Sequence, residues 1–336
     1  MTLTIALAQV NPTVGDVAGN TALVRRARDE ATAQGADLVV FSELVLVGYP
    51  PEDLVLRPAL VEAAAAALRD LERESAAPGA PGLVVTLPWN ANDRVRNAVA
   101  LVATGHTELR FKHELPNYGV FDEKRVFEPG PLPEPVTFRN ARIGLPICED
   151  IWLDHVTTHL ASKGAQLMLV PNGSPFEVEK FEHRLELARA RASETSVPVA
   201  YINQVGGQDE LVFDGGSFVM NVDGSLACVM PFWREALTLT RWTLDGSAGP
   251  KGPALRCLEK AHWSPQPRLD AIYSAMVLGL RDYVRKNRFP RVVLGMSGGI
   301  DSALTAAVAV DALGAAHVRG VRLPSRYTVT PLRPSR

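Results

Sequence analysis

Short apolar runs that alternate with Ala-rich helical patterns constrain the fold of this chain most strongly. The run Leu3–Val10 breaks at Asn11–Pro12, a helix is predicted from Asn20 as its cap to Gln34, and Ala36–Glu43 has the pattern of the next strand. Later apolar runs outnumber the helices between them, and a single sheet would leave much of their surface in water. We therefore predict an α/β fold in which two sheets pack together.

A thiol at a strand-to-helix junction is the most informative local feature. The apolar run from Ile143 ends at Cys148, and the helix predicted to follow opens with Glu149 and Asp150 and continues to Lys163. Backbone N–H groups and the helix dipole at such a junction favour a thiolate and stabilise an oxyanion beside it. A lone cysteine is nevertheless more often a small buried hydrophobe, so Cys148 alone does not establish chemistry.

Two charged residues lie in similar settings. Glu43 ends a strand pattern, and Lys112 lies inside the alternating segment Leu109–Pro116, which is predicted to be a strand. Taken alone, each residue would most simply be a charged side chain that faces solvent. With Cys148, however, they supply the base, the cation and the nucleophile that open an amide through a covalent acyl-enzyme.

The segments around these three residues resemble the catalytic motifs of the nitrilase, or carbon–nitrogen hydrolase, superfamily. They are Phe41–Glu43, Phe111–Pro116 and Pro146–Asp150. The resemblance implies that Glu43 is the general base, Lys112 the transition-state stabiliser and Cys148 the nucleophile. It also implies a four-layered α-β-β-α sandwich for the first domain, residues 1–244.

Two further segments narrow the resemblance to the glutaminase domain of glutamine-dependent NAD synthetases, namely Leu115–Glu123 and Gln204–Asp214. In that family, Glu123 matches a second glutamate near the triad, and Glu149 is expected to support catalysis from the position after the nucleophile. The family's glutamine-binding positions correspond here to Tyr118, Phe121, Ser174 and Lys180.

A second domain is predicted after a linker over residues 245–268, where Gly and Pro accumulate. A helix over Asp270–Lys286 precedes the strand Arg291–Met296, a Gly-rich turn and a helix over Ser302–Leu313. The turn resembles the pyrophosphate-binding loop of the N-type ATP pyrophosphatases. The resemblance implies that residues 269–327 are the start of a Rossmann-like domain of the adenine nucleotide α-hydrolase type, and that ATP is bound by Ser297, Gly298, Gly299, Ile300, Asp301 and Ser302.

Together the two resemblances imply one pathway. Ammonia released from glutamine would travel through a protein tunnel to a site where ATP and Mg²⁺ have activated deamido-NAD, and amidation would give NAD. The family's synthetase domain continues well beyond this loop, whereas residues 328–336 match neither the family nor a folded element. We expect a truncation or frame change, a chain that retains only the glutaminase half, and no NAD synthesis by this chain alone.

Composition excludes several other classes of protein. A net charge of −2 gives no electrostatic footprint for nucleic acid or an anionic membrane. Three cysteines are too few for a disulfide framework, and neither a signal peptide nor a membrane span is predicted. We expect a cytoplasmic homo-oligomer with no metal ion in its glutaminase domain. The spacing of His155 and His159 would place two imidazoles on one helix face, and we interpret that pair as solvated.

Two alternatives stay open from the sequence. One is a stand-alone amidase or nitrilase that acts on another small amide. The other is a non-catalytic subunit that only associates with an intact synthetase. Hydrolysis rates on a panel of small amides test the first alternative. Co-purification with a full-length synthetase tests the second.

Overall fold

The computed structural model describes residues 2–245, 254–259 and 261–322. They form two compact units. The first contains the chain through Gly206 and Phe213–Pro265, and the second contains Gly207–Val212 and the chain from Gln266 onward.

Helices and strands alternate through the first unit. Its α-helices are α1 (Val17–Ala33), α2 (Pro58–Ser75), α3 (Asp154–Ser162) and α4 (Lys180–Thr195). The strands, in chain order, are β1 (Thr2–Gln9), β2 (Leu38–Val40), β3 (Gly82–Ala91), β4 (Arg94–Ala103), β5 (His106–Phe111), β6 (Val136–Phe138), β7 (Ala141–Gly144), β8 (Leu167–Asn172), β9 (Val199–Asn203), β10 (Val205–Gln208), β11 (Leu211–Asp214), β12 (Phe218–Met220), β13 (Leu226–Val229), β14 (Ala236–Asp245), β15 (Ala254–Cys257) and β16 (Ala261–His262).

Most of these strands belong to two seven-stranded sheets. The order of the first is β15-β14-β1-β2-β3-β4-β5, and that of the second is β16-β13-β12-β9-β8-β7-β6. In the first sheet β1, β2 and β3 are parallel neighbours, and in the second β7, β8 and β9 are. The antiparallel pair β10-β11 forms a separate small sheet, and its central part, Gly207–Val212, belongs to the second unit.

The main hydrophobic core lies between the two large sheets. Alternate residues of the first sheet, such as Ile5 and Leu7, join the same buried cluster as Ile143 and Leu169 of the second. A second cluster packs helices α3 and α4 against the opposite face of the second sheet, while α1 and α2 contact the first sheet. The unit is therefore a four-layered α-β-β-α sandwich, which confirms the predicted fold class.

Helix α2 illustrates how the sequence determines one outer layer. Pro58 occupies the first turn, where its missing N–H costs no intrahelical bond. Val61, Ala64, Leu68 and Leu71 recur at intervals of three or four residues and are all buried. This stripe covers one face of the first sheet.

Two helix boundaries differ from the sequence prediction. Helix α1 begins earlier, because Asp16 rather than Asn20 is its cap and accepts a hydrogen bond from the Gly19 N–H at 2.9 Å. The predicted helix after Cys148 is not continuous. A 3₁₀ turn over Cys148–Ile151 ends, the backbone becomes extended at Leu153, and α3 starts afresh.

Several strand assignments also differ. Strand β5 ends at Phe111, so Lys112 follows the strand instead of lying inside it. The apolar stretch from Leu211 to Val222 contains two separate strands, β11 and β12. Strand β14 was not predicted, and within the predicted linker residues 254–257 form the edge strand β15, which pairs with β14.

The second unit contains α5 (Arg268–Lys286), β17 (Val292–Met296), α6 (Ile300–Leu313) and β18 (Val318–Arg322). Strands β17 and β18 are parallel neighbours, and α6 contacts both strands and α5. Some large apolar side chains of this unit are exposed, including Val293 at 63% and Ile300 at 81%.

The Gly- and Pro-rich part of the predicted linker, residues 246–253, lies outside the described residues. The end of the predicted second domain, residues 323–327, and the tail at 328–336 also lie outside them. Among the described helices, none is both long and apolar enough to cross a membrane.

Candidate active site

The strand ends of the sandwich position its buried charged groups. Glu43 follows β2 and is completely buried. Its Oε1 accepts hydrogen bonds from Lys112 Nζ at 2.7 Å and from Asn97 Nδ2 at 2.8 Å. Its Oε2 accepts one from the Gly173 N–H, at the end of β8, at 3.0 Å. The carboxylate is thus fixed from three elements before any substrate binds.

Lys112 lies between two carboxylates. Besides Glu43, it contacts Glu123, whose Oε1 and Oε2 are 2.9 Å and 2.8 Å from Lys112 Nζ. Burial disfavours the ammonium, but the charges of Glu123 and Glu43 outweigh it and raise the pKa of Lys112. Lys112 therefore stays positively charged although its side chain is completely buried.

The pKa of Glu123 is also raised, but here burial is the main cause and the neighbouring ammonium opposes the shift. Burial and the neighbouring Glu43 carboxylate raise its pKa to about 7, although Lys112 and a hydrogen bond from Tyr49 oppose the shift. Tyr49 donates its hydroxyl to Glu123 Oε1 at 2.9 Å. Two carboxylates share one ammonium here, so the cluster favours an additional proton near neutral pH.

Cys148 begins the 3₁₀ turn after β7 and is only 3% exposed. Its backbone has φ of +44°, in the left-handed region that L-residues with a side chain adopt at an energetic cost. Burial raises the pKa of the thiol, Glu43, Glu123 and Glu149 add to the rise, and Lys112 opposes it. The thiol is therefore protonated at rest, and a base is needed to activate it.

Asp150 connects the nucleophile to the lysine segment. Its Oδ2 accepts the Ile147 N–H at 2.9 Å, and its Oδ1 accepts the N–H groups of His113 at 3.0 Å and Glu114 at 2.8 Å. Because Asp150 is completely buried, it holds the backbone after Lys112 close to the turn that carries Cys148.

The loop after Lys112 brings predicted substrate contacts to the same turn. Tyr118 donates its hydroxyl to both carboxylate oxygens of Glu149, at 3.0 and 3.1 Å. Phe121 packs edge-to-face on Tyr118, with ring centroids 5.6 Å apart. Burial raises the pKa of Glu149. The Tyr118 side chain remains 53% exposed, so it can contact a molecule that enters from solvent.

Ser174 and Lys180 approach the site from the other side. The Ser174 N–H donates to Asn203 Oδ1 at 3.0 Å, and its hydroxyl oxygen accepts a hydrogen bond from Arg184 Nε at 3.0 Å. Lys180 Nζ lies 5.4 Å from the ring centre of Trp152, four residues after the nucleophile. Lys180 therefore lies close to the segment that follows Cys148, and Ser174 directly follows Gly173, whose N–H binds Glu43.

The predicted phosphate loop lies in the second unit, between β17 and α6. Gly298 has φ of +87°, and Gly299 is the residue before the first turn of α6. Ser302 donates its hydroxyl to the Gly299 carbonyl at 3.0 Å and lies 3.1 Å from the Ser297 hydroxyl. The loop is exposed, and its residues lie at the positive end of a helix, where phosphates bind readily.

The carbon-nitrogen hydrolase family model matches residues 4–246, which contain Glu43, Lys112 and Cys148. The chain belongs to this family. A second family model, NAD synthase, matches residues 272–331.

Relatives carry both parts in one chain. The glutamine-dependent NAD(+) synthetase of Rhodobacter capsulatus is 44% identical over 328 residues, covering 96% of this chain and 57% of its own. The protein of the same name from Acinetobacter baylyi is 38% identical, and the match covers 96% of this chain and 58% of the relative's chain. This chain thus spans about three fifths of the length of the curated relatives it matches.

Solved structures agree. The glutamine-dependent NAD+ synthetase of Acinetobacter baumannii, in complex with ADP, has a TM-score of 0.88 at 37% identity and covers 98% of this chain and 60% of its own. An amidase from Nesterenkonia sp. AN1, solved with acrylamide added to its active-site cysteine, has a TM-score of 0.63 at 28% identity. The match covers 70% of this chain and 92% of the amidase chain. The resemblance inferred from the motifs is confirmed.

Sequence reasoning missed the groups that hold the charged residues in place. They are Tyr49, Asn97, Asp150, Gly173 and Arg184. Asn97 lies in an otherwise apolar strand, β4, and a buried amide there was a usable signal. The contacts of Gly173 and Arg184 depend on tertiary packing and leave no local pattern.

Proposed function

We propose that this chain hydrolyses the side-chain amide of glutamine through a glutamyl thioester on Cys148. The observation that carries the proposal is the buried cluster of Glu43, Lys112 and Glu123 around a thiol whose pKa is raised. A protonated, buried thiol needs a neighbouring base, and Glu43 is the carboxylate fixed on three sides to act as one.

In the first half of the reaction, Glu43 accepts the thiol proton while Cys148 Sγ bonds to the amide carbon. The carbonyl oxygen becomes an oxyanion, stabilised by the Lys112 ammonium and by the backbone N–H of Glu149. Glu43 then gives its proton to the leaving nitrogen, the carbon–nitrogen bond breaks, and ammonia departs. In the second half, Glu43 accepts a proton from a water molecule whose oxygen bonds to the thioester carbon. The carbon–sulfur bond then breaks, glutamate departs, and Glu43 returns the proton to the Cys148 thiolate.

Tyr118, Phe121, Ser174 and Lys180 are proposed to bind glutamine. Because Arg184 donates to the Ser174 hydroxyl oxygen, that hydroxyl can act as a donor to a further acceptor. Lys180 offers a cation for the α-carboxylate, and Glu149 an anion for the α-ammonium. These roles follow from charge and from position around Cys148.

The complete protein is proposed to use the ammonia for ATP-dependent amidation of deamido-NAD, which gives NAD. The match of residues 272–331 to NAD synthase and the ADP-bound relative support ATP as the co-substrate. Residues Ser297–Ser302 would hold the pyrophosphate of ATP through backbone N–H groups and hydroxyls. Mg²⁺ would neutralise phosphate charge when it is bound, with Asp301 as the nearest carboxylate in the loop sequence.

A stand-alone amidase activity is the second candidate. The Nesterenkonia amidase favours it, because 92% of that chain is matched by 70% of this one. The discriminating experiment measures ammonia release from glutamine, asparagine, propionamide and acrylamide, for the wild-type chain and for Cys148→Ala. A glutaminase hydrolyses glutamine with the highest kcat/KM, whereas a preference for a simple aliphatic amide would overturn the proposal.

A further inference from the structure

Two histidines and a glutamate form a cluster on the first unit that the proposed mechanism does not use. His113 and Glu114 directly follow Lys112, and His155 lies in the first turn of α3. One ligand atom from each lies within 4.8 Å of the other two. The three side chains are 28%, 29% and 45% exposed, so an ion from solvent reaches them.

The distances suit a transition-metal ion. The Glu114 carboxylate lies 3.0 Å from His155 Nε2 and 3.7 Å from His113 Nε2. Two ligands of a tetrahedral Zn²⁺ ion with bonds of about 2.0–2.1 Å stand about 3.4 Å apart, which lies between the two observed values. Small rotations of these partly exposed side chains would bring the ligand nitrogens of His113 and His155 to the same separation, and water would supply the fourth ligand.

The tautomer of His113 is suited to metal binding. Its Nδ1 lies 2.8 Å from the Gly130 carbonyl oxygen, which can only accept a hydrogen bond, so Nδ1 carries the proton. Nε2 then presents its lone pair to the cluster. Metal-binding histidines commonly donate their other ring N–H to a carbonyl or carboxylate in this way.

The backbone of two of the three ligands is already fixed. The buried Asp150 carboxylate accepts the N–H groups of both His113 and Glu114. The rings of His113 and His155 lie edge-to-face with centroids 5.6 Å apart. Two imidazoles therefore converge on one carboxylate, which is more than a single surface ion pair requires.

We propose that His113, Glu114 and His155 bind a divalent transition-metal ion of the Zn²⁺ class. The ion joins the segment after Lys112 to the helix after the Cys148 turn. Helical spacing had paired His155 with His159, but His159 faces Glu134, at 3.5 Å. The partners of His155 come from a segment that precedes it by about forty residues, which the sequence prediction of a metal-free domain did not consider.

The test is a calorimetric titration of the full chain, without a histidine tag, with Zn²⁺ and separately with Co²⁺. A Cys148→Ala background removes the reactive thiol as a competing ligand. We expect one equivalent of metal to bind, and His155→Ala and Glu114→Gln each to weaken binding at least tenfold. His183→Ala, which removes an exposed histidine on α4, is the matched control and leaves binding unchanged.

Three results would overturn the proposal. They are the absence of saturable binding in the micromolar range, equal affinity in the variants and the wild type, and a thiolate-to-cobalt charge-transfer band that places the ion on another cysteine. Circular dichroism of the metal-free variants excludes unfolding as the cause of lost binding. The titration does not depend on catalysis, so its outcome is independent of the glutaminase proposal.

Discussion

The buried pair Arg184–Asp214 gives the sharpest test of how the sandwich supports its site. Arg184 Nη1 donates to both Asp214 carboxylate oxygens, at 2.8 and 3.0 Å. The side chain of Arg184 is 1% exposed and that of Asp214 is 3% exposed. The same guanidinium donates to the Ser174 hydroxyl and to the carbonyls of Ser174 and Pro175. One arginine thus stabilises both a buried carboxylate and the strand end that presents Ser174.

Arg184→Met removes all these donors but keeps much of the apolar volume. Breaking a buried ion pair on one side costs about 3–5 kcal/mol, because an unpaired charge stays buried. In a unit of this size, the loss corresponds to a fall in melting temperature of about 6–20 °C. Urea unfolding followed by tryptophan fluorescence measures the free energy of unfolding. Arg189→Met, an exposed arginine on the same helix, is the control and changes it by less than about 0.5 kcal/mol.

A double-mutant cycle separates the ion pair from lost packing. Asp214→Asn alone leaves Arg184 partly unpaired, while the double variant Arg184→Met/Asp214→Asn buries no lone charge. We expect the double variant to be more stable than the sum of the single losses predicts, by at least about 1 kcal/mol. Additivity of the two losses, or a loss below about 1 kcal/mol for Arg184→Met, would refute the reasoning.

Three more predictions follow from the site. Lys112→Met should reduce the kcat for glutamine by a factor of at least about 10²–10³, because the oxyanion loses its cation, and a stopped assay for glutamate measures this. Lys112→Arg keeps the charge but should recover little activity, because the closed pocket does not accommodate the larger side chain. Full activity of Lys112→Met would contradict the proposed role of Lys112. Folding raises the pKa of Glu123 from 4.5 to about 7, so the native state holds the proton more tightly and the stabilisation is lost as pH rises between these values. The free energy of unfolding, compared with that of Glu123→Gln, should therefore fall from pH 4.5 to pH 7, and a difference that rises with pH would be inconsistent with this sign. Gly173→Ala should lower activity, since an added Cβ would lie 2.6 Å from the Tyr49 ring and displace the N–H that holds Glu43, whereas Gly35→Ala, in open space, should lower only stability because of its positive φ.

The sequence predicted the positions of the strands that precede Glu43 and Cys148, because each one has a local signature. Glu43 and Cys148 follow apolar runs. Their strands, β2 and β7, lie in two different sheets that face each other across one core. Alternation and apolar runs predicted the α/β class, whereas the four layers were implied by the family resemblance. Lys112 was placed inside a strand because alternation continues past Phe111, where the ladder hydrogen bonds of β5 stop.

The features that were missed depend on contacts between distant segments. The break between the Cys148 turn and α3 occurs without Gly or Pro, where Asp150 turns its carboxylate back to the N–H groups of His113 and Glu114. Strand β14 was missed although leucine and threonine alternate there, which is a usual signal of a strand. Its pairing with β1 through eight residues is what fixes it in the sheet.

The central claim is that Cys148 attacks the side-chain amide carbon of glutamine. A diazoketone analogue of glutamine, which alkylates an attacking thiolate, tests this claim most directly when adducts are located by peptide mass spectrometry. We expect one adduct on Cys148, none on Cys228 or Cys257, protection by glutamine and loss of labelling in Glu43→Gln. Labelling of another cysteine, or labelling of Cys148 that glutamine does not slow, would contradict it.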